Sequence, residues 1–180
     1  GVKYCITCAN GTDALQLALM AWDVKCGDAV FVPSFTFYST AEVVSMLGAT
    51  PIFVDTNPRT FNIDVNKLEK SIQKVKEEGV LNPKVIIPVD LFGLPAEYEK
   101  IEHIANKYKL FVLEDSAQGF GGEIKGRKAC SFGDISTTSF FPAKPLGCYG
   151  DGGAIFTDSE NYYELLTSLR VHGKGKFKYD

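Results

Sequence analysis

Three short polar stretches each follow an apolar run, and their residue types could together hold a planar, anionic, cationic-nitrogen ligand. Asn10-Gly11-Thr12-Asp13 stands before a helical pattern. A helix N-terminus offers unpaired N–H groups and the positive end of a dipole, and glycine lets an anion come close. The competing reading is an ordinary cap, with Thr12 or Asp13 closing the first turn. Glu114-Asp115-Ser116-Ala117-Gln118 ends the apolar run Leu110-Phe111-Val112-Leu113. A carboxylate at such a place is partly buried and needs a cation or donors, as a pyridinium nitrogen would supply; alternatively it bonds nearby backbone amides. Ser139-Phe140-Phe141-Pro142-Ala143-Lys144 leads into Gly147–Gly153, which carries four glycines in seven residues. A lysine among aromatics and glycines can be desolvated and made nucleophilic, where an isolated loop lysine would be merely solvated. The glycines imply close backbone approach.

Something must bring these stretches together, and the pattern of elements does. Strands are expected at Tyr4–Ala9, Ala29–Val32, Pro51–Val54, Lys84–Val89, Leu110–Glu114, Ile135–Phe140 and Ala154–Thr157. Helices are expected near Ala14–Ala21, Ser39–Leu47, Asp64–Lys76 (with Asp64 as N-cap), Glu97–Lys107 and Ser159–Val171. Gly121, Gly122 and Gly126 flank a turn or short hairpin. Strands alternating with helices predict an α/β fold with a mostly parallel, doubly wound sheet. Continuous apolar strands such as Val85-Ile86-Ile87 suit a sheet covered on both faces. Ligands of such sheets bind beyond the carboxyl ends of the strands, where all three polar stretches fall.

The bulk numbers narrow the class. The chain has 180 residues, 45% hydrophobic and 23% charged, with a net charge of −3. These are the values of a single globular domain. Lysines are scattered apart from Lys174, Lys176 and Lys178, so no basic patch points to nucleic acid. No apolar run is long enough to span a bilayer, and no signal-peptide pattern opens the sequence. Five cysteines without a secretion signal imply a reducing, cytoplasmic setting. Cys5 and Cys8 form a CxxC inside a strand pattern. With no second pair for zinc, they are expected to be small buried core residues. His103 and His172 are expected to be solvated or capping. No metal-ligand cluster stands out. The pairs Asp55/Asp64 and Asp90/Glu114 cannot be placed on one face from sequence.

The ordered set NGTDALQLAL, PSFTFYSTAEVV, GATPIFVD, VIIPVDLFG, VLEDSAQGFG and TSFFPAKPLGCYGDGGAIFTD resembles the DegT/DnrJ/EryC1/StrS family of sugar aminotransferases along essentially the whole chain. The resemblance implies the aspartate aminotransferase fold and pyridoxal 5′-phosphate (PLP) as cofactor. Lys144 would bond covalently to the cofactor and then move the substrate proton. Asp115 would partner the pyridine nitrogen, Gln118 the ring 3-oxygen, and Ser139 with Gly11 and Thr12 the phosphate. Phe37 would stack on the ring, unless it belongs to the core. Lysine at position 144, where some dehydratase relatives carry histidine, favours amino transfer. The donor would be L-glutamate and the acceptor a keto-sugar nucleotide. TSFFPAKPLGCYGDGGAIFT is similar to members that aminate UDP-2-acetamido-2-deoxy-3-oxo-glucuronate for surface-polysaccharide synthesis. The family is homodimeric, with its sites at the subunit interface.

The family's pattern continues beyond HGKGKFKYD and begins before Gly1. Residues 1–180 are therefore expected to be the large cofactor-binding domain of a longer protein, ending in mid-loop at 173–180 and without the N-terminal segment and the C-terminal small domain. Two rival readings differ in class. A nicotinamide-dependent dehydrogenase would need GxGxxG after the first strand, and Cys8-Ala9-Asn10-Gly11-Thr12 lacks it. A non-enzymatic scaffold would have lost the lysine or the aspartate, and both are present. A folded but inactive fragment, or a dehydratase-like outcome, are the remaining alternatives.

Overall fold

The computed structural model describes residues 1–175. Lys176 and Lys178, and the rest of the expected mid-loop ending at 176–180, lie outside the described residues.

Among the described residues, nine strands and five α-helices follow in order: β1 (Tyr4–Cys8), α1 (Gly11–Ala21), β2 (Asp28–Pro33), α2 (Ser39–Met46), β3 (Thr50–Val54), α3 (Val65–Glu78), β4 (Asn82–Ile86), α4 (Tyr98–Tyr108), β5 (Phe111–Asp115), β6 (Glu123–Ile124), β7 (Arg127–Lys128), β8 (Ile135–Ser139), β9 (Gly153–Thr157) and α5 (Glu160–Arg170). Seven strands form one sheet in the order β1-β9-β8-β5-β4-β2-β3. The ladders β2–β3, β2–β4, β4–β5 and β5–β8 are parallel, and β9 alone runs against its neighbours β1 and β8. The mostly parallel, doubly wound sheet expected from the sequence is the one observed.

The continuous apolar strands feed two layers at once. Successive side chains on a strand point to opposite faces. On β2, Val30 and Val32 join Leu15, Leu19, Val44 and Leu166 in one core layer. Ala29 and Phe31 join Leu68, Ile72, Ile101 and Ile104 in the other. Helices α1, α2 and α5 thus cover one face, and α3 and α4 the other. Helix α3 shows how the second layer is encoded. Its buried residues Val65, Leu68, Ile72 and Val75 recur every three or four positions. Asp64 caps it by accepting from the amides of Asn66 and Lys67, as expected, and Gly79 ends it at a φ of 65°.

Three sequence expectations need correction. Helix α1 begins at Gly11, and its cap is Asn10, neither Thr12 nor Asp13: the Asn10 Oδ1 accepts from the Asp13 amide at 2.8 Å. Asparagine is among the best caps, and replacing it by alanine removes an acceptor for one of the helix's orphan donors. Asn10→Ala is expected to lower stability by about 1 kcal/mol, read as a shift of the urea midpoint. The apolar run Lys84–Val89 does not form one unbroken strand. Pro88 has no N–H to give, the ladder ends at Ile86, and the chain rejoins the sheet through a single bridge from Val89 to Asp115. Finally, Cys5 is exposed and Cys8 only half-buried. Side chains alternate across β1: Ile6 turns to the face covered by α1 and α5 and enters the core, Cys8 packs partly against that core, and Cys5 and Thr7 turn to the other face and are exposed. Gly121 to Gly126 do frame a hairpin, β6–β7, turned by Lys125 and Gly126 with φ values of 51° and 83°.

Candidate functional site

The carboxyl ends of β1, β2, β4, β5 and β8 surround a cleft of about 1030 Å³. All seven residues singled out from the sequence line it. Gly11 and Thr12 come from the first turn of α1, and Phe37 from the segment after β2. Asp115 and Gln118 come from the end of β5, and Ser139 and Lys144 from the end of β8 and the loop beyond.

One end of the cleft suits an anion. Gly11 and Thr12 occupy the first two positions of α1, whose early N–H groups have no intrahelical acceptor. A Cβ on Gly11 would lie 2.8 Å from the Ser139 Cβ, so glycine is what lets the helix start close against β8. The Ser139 hydroxyl accepts from the Phe141 amide at 3.3 Å, which leaves its proton to donate elsewhere.

Asp115 closes the floor. It is 5% exposed. Its Oδ2 accepts from the Thr40 hydroxyl at 2.9 Å, and its Oδ1 has the Ala117 amide at a longer 3.3 Å. Burial pushes the carboxyl above its ordinary value, against the pull of Thr40, the Ala117 amide and the charge of Lys144. A buried carboxylate with room for another donor fits a cationic ring N–H. Thr40 was not legible as a functional residue. Its only signal is a second hydroxyl at i−4, Thr36, whose Oγ1 lies 3.0 Å from that of Thr40. Thr40→Val is expected to push the Asp115 carboxyl further up, read by NMR titration of its side-chain carbon.

Lys144 enters from a folded-back loop. Phe140 donates to Gly152 O at 2.7 Å and Cys148 donates to Phe140 O at 2.8 Å, pinching the segment at its neck. Two of the four clustered glycines answer to close approach. A Cβ on Gly147 would sit 2.5 Å from Pro142 O, and one on Gly153 would sit 2.3 Å from Asn10 O. Lys144 Nζ stands 5.8 Å from the centre of the Phe37 ring. Phe37 is 67% exposed, so it belongs to the cleft wall and not to the core. Gln118 Oε1 accepts from the Phe92 amide at 2.7 Å.

Behind Asp115 lies a polar cluster that the sequence could not assemble. Asp90 and Glu114, both fully buried, are drawn together. Asp90 accepts from Tyr98 OH at 2.7 Å, Ala96 N at 3.1 Å and Ser116 Oγ at 3.0 Å. Glu114 accepts from the amides of Cys130 and Phe132, each at 2.7 Å. Burial drives both carboxyls up. His103 and His172 are exposed and away from the cleft. Among the described residues, no group of three or more His, Cys, Asp and Glu could hold a metal, and no helix is long and apolar enough to cross a membrane.

Fold and site together define a doubly wound α/β protein whose cleft sets a lysine across from a buried carboxylate, with an anion cradle at one end. The sequence matches the DegT/DnrJ/EryC1/StrS aminotransferase family over residues 1–180, and the chain belongs to that family. It is 48% identical over 176 residues to the UDP-2-acetamido-2-deoxy-3-oxo-D-glucuronate aminotransferase of Pseudomonas aeruginosa, covering 98% of this chain and 47% of that protein. A crystal structure of a DegT DnrJ EryC1 StrS aminotransferase from Brucella abortus superposes with a TM-score of 0.99 at 53% identity, over 100% of this chain and 48% of that one. NtdA of Bacillus subtilis, solved with bound cofactor PMP, superposes with a TM-score of 0.83 at 38% identity, over 93% of this chain and 36% of that one. The chain therefore spans about half the length, or less, of the relatives it matches.

Proposed function

We propose that this chain is the large, cofactor-binding domain of a PLP-dependent aminotransferase that moves an amino group, with L-glutamate as donor, onto the keto group of a UDP-linked sugar. The observation that carries this reading is the placement of Lys144, Asp115, Gln118, Ser139, Gly11 and Thr12 around one cleft. The similarity to the Pseudomonas aeruginosa enzyme supports a UDP-linked 3-keto uronate as acceptor. The cytoplasm supplies both a reducing setting and soluble nucleotide sugars. In the parent protein, two copies pair so that the cleft lies at their interface.

When bound, the cofactor supplies an electron sink for the substrate carbon. The residues of this chain do the rest. The amides of Gly11 and Thr12 and the Ser139 hydroxyl hold the phosphate. Asp115 keeps the ring nitrogen protonated, and that cation in turn relieves the cost of burying the carboxylate. Phe37 covers one ring face. Gln118 donates to the ring oxygen. The Lys144 amine would hold the cofactor covalently and, when free, would carry the proton at the substrate carbon. One base would serve both half-reactions because each needs a proton moved over the same short path.

The test is to add PLP to the 180-residue chain, reduce with borohydride and map the modified peptide by mass spectrometry. A single pyridoxyl group on Lys144 is the expected result. Modification spread over surface lysines, with none at Lys144 in a chain of the relatives' full length, would remove the reading.

A further inference from the structure

We propose that Asp90 is a positioning residue for the cofactor site: by clamping the 90–96 segment it fixes the Phe92 N–H, which turns the Gln118 carboxamide so that its NH2 group faces the cleft. This rests on the proposed function for the identity of what Gln118 meets. The clamp itself rests on the contacts below.

A backbone N–H can only donate, so the atom of Gln118 that meets Phe92 N at 2.7 Å must be the amide oxygen. With the oxygen held there, the planar carboxamide has only its NH2 left to present to the cleft, which Gln118 lines. An anionic ring oxygen is an acceptor, and a donor is what it requires. The flipped amide would set oxygen against oxygen.

Phe92 cannot supply this contact unaided. Its φ of 56° lies in the left-handed region, and Gly93 follows at 86°. A side-chain-bearing residue there is strained unless its surroundings impose the conformation. Phe92 is 69% exposed, and its ring meets Phe35 and Phe61 at centroid distances of 6.4 and 5.9 Å on the surface, so the side chain gives the backbone only an outer support. The anchor is Asp90. Its amide donates to Asp115 O at 3.0 Å, and its carbonyl accepts from Gly93 N at 3.2 Å. Its carboxyl takes Ala96 N and Tyr98 OH on one oxygen and Ser116 Oγ on the other. Both ends of the segment carrying Phe92 are thereby tied to the strand end that carries Asp115 and Gln118. The space is closely filled. A Cβ on Gly119 would lie 2.5 Å from Asp90 Oδ2 and 2.3 Å from Ser116 Oγ.

The pairing with Glu114 adds a constraint. Burial raises both carboxyls, and the charge of Asp90 pushes Glu114 further up. Asparagine at position 90 would keep an acceptor for Tyr98 and Ala96 and set its NH2 against the Ser116 hydroxyl, which can accept as well as donate. Alanine would keep neither.

Two measurements separate the clamp from the cofactor. In the isotope-labelled 180-residue chain, hydrogen exchange of the Phe92 amide, and the scalar coupling from its nitrogen to the Gln118 side-chain carbonyl carbon, report the bond directly. Asp90→Ala is expected to abolish the coupling and speed exchange at least tenfold, while Asp90→Asn stays near wild type. Should Asp90→Ala fail to fold, Tyr98→Phe and Ser116→Ala each remove one tie, and each is expected to speed Phe92 exchange severalfold. Exchange unchanged in the folded variants overturns the clamp. The second measurement is PLP affinity by absorbance titration. Gln118→Glu keeps an acceptor for Phe92 N–H but turns a second oxygen to the ring. It is expected to leave Phe92 exchange unchanged and weaken PLP binding at least tenfold. Wild-type affinity in Gln118→Glu would overturn the donor orientation. If wild type itself binds no PLP in a chain of the relatives' full length, the proposed function fails, and Phe92 exchange still decides the clamp.

Discussion

Lys144→Ala is expected to abolish the borohydride-trapped pyridoxyl adduct completely and to leave the fold unchanged. In a chain of the relatives' full length, amino transfer is expected to fall by about 10³-fold or more. Positioned acid–base catalysis alone contributes roughly 10²–10⁴-fold, and the variant also loses its covalent hold on the cofactor. The fold should not notice. Lys144 is half-buried on a loop and takes part in no ion pair among the described residues. Substitutions of that kind usually change stability by less than about 0.5 kcal/mol. An unchanged urea midpoint with no adduct is the expected pairing. A variant that keeps an adduct at some other single lysine would show that Lys144 is not the bonding residue.

Asp115→Asn is expected to act in two opposite directions. Burial raises this carboxyl above its ordinary value, so ionisation costs the folded chain more than the unfolded one. The sign follows from linkage. Below the ordinary aspartate range the group is protonated in both states, and the cost is absent. As pH rises through that range and on through the raised folded value, the unfolded state loses its proton first and stability falls. The ligand-free Asn variant escapes this fall, so its advantage over wild type should be absent at low pH and greatest near neutrality. Asparagine still offers an oxygen to the Thr40 hydroxyl, and only the longer Ala117 contact is lost. With PLP added the order reverses. The variant loses a charge-assisted bond of about 1.5–3 kcal/mol, or roughly 10- to 100-fold in affinity. Thermal unfolding against pH, with and without PLP, reads both effects. A variant less stable than wild type at neutral pH without ligand would show that burial is not the dominant influence on Asp115.

What the sequence made legible follows from the kind of signal each residue carries. Helix α3 was readable because its amphipathic spacing and its Asp64 cap agree. The central strands were readable because both faces are covered and alternation disappears. β1 misled for the same reason. Tyr-Cys-Ile-Thr-Cys reads as apolar, but Cys5 and Thr7 lie on a face left open, and composition does not say which strand has an uncovered face. β8 goes the other way. Ser136, Thr137, Thr138 and Ser139 are all buried in mid-sheet. Three of their hydroxyls are satisfied by carbonyls of Phe132, Glu114 and Ser116, partners visible only once the strands are paired. The candidate site residues were found as three local stretches. Thr40 and Asp90 were not, because their bonds reach 75 and 26 positions along the chain.

The loop that carries Lys144 has a consequence for how this fold can change. It leaves and re-enters the sheet across one backbone bond at its neck, from Phe140 N–H to Gly152 O, and β8 and β9 pair beneath it in fixed register. It is in effect a removable thimble set on a finished surface. Its length and the chemistry at its tip can be rewritten without moving a strand, so long as Gly153 still slides under the Asn10 carbonyl. That one close approach couples the loop to the start of α1. A fold so built can exchange the residue at the loop's tip while the start of α1 stays where it is.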